Sequence, residues 1–125
     1  MSATMPRPPV PIVCLCGSTR FWRTFQQASV QETLANKIVL SIGAASGTDD
    51  EHFGTLPREE FDAIKQQLDQ VHLHKVAMAD EVLILDVGGY IGASTRRELD
   101  HAIALDKSVR YWSVEWGLEG STDDE

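Results

Sequence analysis

Basic residues are scarce in this chain: 11 Lys and Arg stand against 19 Asp and Glu, leaving a formal net charge of −8 over 125 residues. So acidic a chain excludes a DNA or RNA polymer as partner, because polymer binding rests on neutralising many phosphates. Cysteine is scarcer still, with two residues, Cys14 and Cys16. Two apart in a strand, they point to one face, and a bond between them would strain the backbone. They read as small core hydrophobes in a reducing compartment. No other Cys or His shows zinc-ligand spacing, so no metal and no cofactor is expected. Long apolar runs are missing as well: no stretch approaches the roughly 20 residues of a membrane span, which excludes a membrane partner. The opening residues lack the apolar core of a signal peptide, and the expected location is the cytoplasm. Neither a Gly-Lys-Ser/Thr loop nor a GxGxxG turn occurs, which removes the two commonest nucleotide fingerprints.

What is present suits one globular domain that buries roughly two thirds of its unfolded surface. Residues 1–9, with three prolines, read as a loose arm, 10–114 as the domain, and 115–125 as an acidic tail. Within the domain, apolar β-branched runs at 10–16, 37–41, 81–86 and 108–114 read as strands. Helical spacing covers 20–36, with Asn36 as its stop, and 57–79, where Phe61, Ile64, Leu68, Val71 and Lys75 share a stripe. A third helix follows over 94–105. Residues 42–56 form a long loop carrying the acids Asp49, Asp50 and Glu51 beside His52. His72, His74 and Lys75 lie where cations suit a helix C-terminus.

Strands alternating with helices predict a parallel sheet of order 2-1-3-4 with helices on both faces, a Rossmann-like or flavodoxin-like three-layer α/β fold. The ends of strands one and three then meet at a topological switch point, where open α/β sheets bind ligands. In this order one helix covers one face and two cover the other. Trp22, Trp112 and Trp116 help to close that gap, and a homodimer is expected to close it further.

Both turns at the switch point are rich in glycine and hydroxyls. Gly17, Ser18, Thr19 and Arg20 follow strand one. Gly88, Gly89, Tyr90 and Gly92 follow strand three, and Ser94 and Thr95 open the next helix. Backbone N–H groups and the positive end of a helix dipole make such turns cradles for phosphate, with Arg20, Arg23, Arg96 and Arg97 beside them. Two carboxylates bracket the second turn. Glu98, kept ionised by the helix start and the arginines, suits attack on C1′ of a ribose. Asp86, at a buried strand end, suits a protonated general acid for the leaving base. Thr95-Arg-Arg-Glu98 equally matches a capping box, in which Glu98 only secures its helix.

Cys16-Gly-Ser-Thr-Arg20, and Ala79-Asp-Glu-Val-Leu-Ile-Leu-Asp86 with its glycines and Arg97-Glu-Leu99, resemble the nucleoside 2-deoxyribosyltransferase-like superfamily, which includes nucleoside 5′-monophosphate N-hydrolases. The resemblance implies a homodimer that cleaves or transfers the base–sugar bond of a nucleotide or nucleoside. It implies Glu98 as nucleophile, Asp86 as its assisting acid, and Ser18, Arg20 and Ser94 on the 5′-phosphate. A looser likeness, through Gly88-Gly-Tyr90, is to cytokinin-type phosphoribohydrolases of the same reaction class. The rival expectation is a nucleotide-sensing or scaffold domain that binds without cleaving.

Overall fold

The computed structural model describes residues 7–42 and 54–116. The expected loop acids at 49–52, most of the arm and the end of the tail lie outside those residues. Four strands, β1 (Ile12–Cys16), β2 (Ile38–Leu40), β3 (Glu81–Ile84) and β4 (Ser108–Tyr111), form one all-parallel sheet in the order β2-β1-β3-β4. Between them run α1 (Trp22–Leu34), α2 (Arg58–Met78) and α3 (Ala93–Ala104), and β4 is followed directly by α4 (Trp112–Trp116). The architecture is a Rossmann-like α/β fold. No described helix is long and apolar enough to cross a membrane.

Strand alternation divides the core in two. Val13, Leu15 and Leu83, with Leu85 just beyond β3, pack on one face against Phe21, Phe25, Ala28 and Trp112. Cys14, Cys16, Val82 and Ile84 pack on the other against Val76, Ala79, Leu99 and Ala102. Trp112 is 1% exposed and stacks on Trp116 at 5.1 Å. The face covered by α1 is thus filled in part by Trp112, as the sequence suggested. The fourth strand stops at Tyr111 rather than at 114, and Glu115 and Trp116, read as the start of the tail, belong to α4. Arg7, assigned to the arm, is ion-paired to Asp80.

The helices end where short polar residues accept a left-handed backbone. Asn36 and Asp106 have φ of 69° and 58°. Lys37 N–H bonds to Glu32 O and Lys107 N–H to Ala102 O, so α1 and α3 close with the same turn before β2 and β4. In α2 the apolar stripe does not face the core. His72 and Val76 are the buried residues, while Leu68 and Val71 are 38% and 46% exposed.

Candidate functional site

A cleft of about 600 Å³ opens where β1 and β3 end, walled by both glycine-rich turns, the start of α3 and one side of α2. Its lining includes Gly17, Ser18, Thr19, Tyr90, Gly92, Ser94, Thr95 and Glu98, all expected there. Gly17 is needed for the closure, since a Cβ on it would stand 3.1 Å from Leu85 Cβ and Leu85 O. Ser18 turns the chain by accepting the Arg20 N–H at 3.2 Å. Gly88 and Gly89, at φ of 64° and 83°, reverse the chain after Asp86 in a conformation that a side chain would strain. They shape the turn without lining the cleft.

Arg20 also stays off the lining. Its guanidinium covers the Tyr90 ring at 4.3 Å, and Phe21 meets the same ring edge-on at 6.0 Å, so the first turn fixes the aromatic of the second. Arg23 lies over Trp22, and Arg97 bonds Asp69 and Ser94 Oγ, both at 3.1 Å. The expected cluster of arginines is therefore absent from the lining. Lys65 and Lys75, both from α2, are the lysines there. The anion-ready feature is the start of α3, where Gly92 is the N-cap and no side chain among the described residues caps the first turn.

The capping box does not form. The helix starts at Ala93, so Glu98 is in its second turn, on the buried side with Thr95 and Leu99. Glu98 is 7% exposed, and its Oε1 has no hydrogen-bond partner among the described residues. Burial pushes its carboxyl up to about 7, with His72 acting the other way and the Cys14 thiolate adding to the rise. The support expected from Arg97 goes to Asp69 and Ser94 instead, and desolvation works against the charge on Glu98.

Asp86 is not brought to the cleft. Its two oxygens accept from Ser113 N–H at 2.8 Å and Ser113 Oγ–H at 2.7 Å, so it holds the start of α4 beneath Trp112. Both of its oxygens are thus engaged by α4, and it does not line the cleft.

Sequence reasoning placed α2 but missed what it brings to the site. His72, read as a helix-end cation, is 7% exposed and inserts against β1, with Nε2–H donating to Leu15 O at 2.9 Å. Its Nε2 lies 3.7 Å from Cys14 Sγ, 3.6 Å from Cys16 Sγ and 4.0 Å from Glu98 Oε1. The histidine that reads from the sequence as a helix-end cation is thus packed against both cysteines. Interaction with the Cys16 thiol lowers the Cys14 thiol to about 6 against burial, helped by His72 and Lys75; Cys16 is correspondingly pushed up. Burial resists a charge on His72, yet the Cys14 thiolate and Glu98 raise it overall. A usable signal was the polar row Lys65, Asp69 and His72, spaced along one side of α2. Lys75 donates to Ser41 O, tying α2 to the end of β2. The chain matches no protein-family model and no curated protein sequence.

Proposed function

We propose that the protein cleaves or transfers the N-glycosidic bond of a nucleoside or deoxynucleoside 5′-monophosphate, with Glu98 as nucleophile. The observation that carries the reading is the Glu98 carboxylate, buried and with Oε1 unpartnered, on the inner wall of a cleft built from both glycine-rich turns. A buried carboxylate with one oxygen free of hydrogen bonds is an active nucleophile, poised for a cationic partner such as an oxocarbenium-like C1′. The uncapped N–H groups of Ala93, Ser94 and Thr95 suit the phosphate, with the Ser18 and Ser94 hydroxyls beside them. Leu68, Val71 and Tyr90 offer an apolar wall for the base.

In this scheme a Glu98 oxygen bonds to C1′ as the C1′–N bond breaks, and the bonding pair leaves on the base, which takes up a proton from water. Water or a second base then opens the glycosyl ester and regenerates the carboxylate. Asp86 has no part in it.

The test is a thermal-shift screen of mononucleotides, followed by chromatography of each hit for free base. Release by the wild type is expected, with loss of at least about 100-fold in Glu98→Gln while the variant stays folded. Nucleotide binding without release, or an unchanged rate in Glu98→Gln, overturns the assignment and favours a sensing domain.

A further inference from the structure

We infer that Cys14, Cys16 and His72 form a binding site for one soft divalent ion, zinc foremost, with Glu98 closing the fourth position. The Sγ atoms and the His72 nitrogen lie within 4.8 Å of one another, and all three residues are buried. A tetrahedral zinc with bonds of about 2.3 Å to sulfur and about 2.05 Å to nitrogen sets its S···N edges near 3.6 Å. The two S···N separations are 3.7 and 3.6 Å. Glu98 Oε1, 4.0 Å from the same nitrogen and without a hydrogen bond among the described residues, stands beside this trio and reaches the fourth position by a small inward shift of its side chain.

The bland alternative is a pair of core thiols. Core thiols need only apolar neighbours, and Cys14 and Cys16 have those in Val76, Val82 and Ile84. They do not explain why the His72 imidazole and the Glu98 carboxylate, each 7% exposed, are drawn against two fully buried thiols. Two sulfurs, an imidazole nitrogen and a carboxylate gathered this closely are costly to bury without a cation among them. In the ion-free protein the ring instead donates its Nε2 proton to Leu15 O. Ion binding displaces this proton along with those of the thiols, and the ring swings its lone pair off the carbonyl toward the ion. Thiolate donors select zinc over magnesium or calcium. His72 and Glu98 also line the cleft, which gives the ion its way in.

One consequence rests on the proposed function: an ion held by Glu98 ties up the nucleophile, so zinc suppresses turnover. The binding itself does not depend on that reading. The full chain, reduced and stripped with chelator, is titrated with Co²⁺ and then challenged with Zn²⁺. One cobalt per chain is expected, with thiolate-to-metal absorption in the near ultraviolet, intense tetrahedral visible bands, and loss of both when zinc is added. Cys16→Ala should weaken binding by more than the roughly 10–100-fold that follows loss of an outer-shell partner, and Glu98→Gln by about tenfold. Absence of thiolate absorption in the folded wild type overturns the site, as does weak octahedral colour alone. Because no nucleotide is present, failure here is separate from failure of the cleavage assay.

Discussion

Glu98 is a carboxyl group that the fold resists charging. Its ordinary value lies near 4.3 in an unfolded chain, and burial raises it to about 7 in the folded one. Below about pH 4 both states hold the proton and the group costs nothing. As pH rises between the two values, the unfolded chain releases its proton first, and folded stability falls until pH passes about 7. His72 offsets part of this loss. Glu98→Gln, which keeps the shape without the charge, should therefore be about 1–3 kcal/mol more stable than wild type at pH 8 and equal to it near pH 4. Urea denaturation of metal-free protein measures both. A wild type as stable as the variant at pH 8 would mean that the buried charge is already compensated. A stabilising substitution that abolishes turnover would identify Glu98 as retained for chemistry rather than for folding.

At the scale of elements, Asp86 and α4 form a single device. The carboxylate bonds both the Ser113 N–H and hydroxyl, and so anchors a five-residue helix whose first residue, Trp112, plugs the core beside α1. Asp86→Ala should cost about 2 kcal/mol and expose Trp112, seen as a red shift in fluorescence; Ser113→Ala, which removes only the hydroxyl bond, should cost about 1 kcal/mol. Since both act through one contact, the double variant should be no less stable than Asp86→Ala within about 0.5 kcal/mol. Full additivity would show that the two residues stabilise separate features. This device also marks the limit of what could be read from the chain. Residues 108–114 are apolar and β-branched enough to read as one strand, and nothing local announces that Trp112 leaves it. By contrast the glycine turns, the left-handed stop at Asn36 and the buried strands are local properties, and all were legible. The error in α2 has a different cause. Leu68 and Val71 face an open cleft rather than the sheet, so its stripe gave the period correctly and the phase wrongly. His72 consequently looked like an end cap, and its meeting with Cys14, Cys16 and Glu98 exists only once three elements have packed.

Across the whole molecule, one ion-pair network ties α1, the sheet and α4 together. Arg110 on β4 bonds Glu32 of α1 at 2.7 and 3.0 Å, Glu81 of β3 at 2.9 Å, and Glu115 of α4 at 2.8 and 2.9 Å. Lys37 joins Glu32 and Glu81 from the start of β2. Glu32 is 7% exposed, and its carboxyl is held below the ordinary range, first by the Arg110 hydrogen bonds, against burial, with Lys37 helping. Its folded value lies below its unfolded one, so its contribution is complete above about pH 4.3 and is lost as pH falls through the folded value. Arg110→Met removes the shared partner and leaves Glu32 buried with Lys37 alone. The variant should lose about 3 kcal/mol at pH 7, as expected when one member of a buried pair is removed. The gap from wild type should then narrow steadily as pH falls from 4.5 to 2.5, because protonated Glu32 no longer needs the guanidinium. Urea midpoints across that range read the difference directly. A constant gap would mean that Arg110 acts through packing of its side-chain stem rather than through its charge.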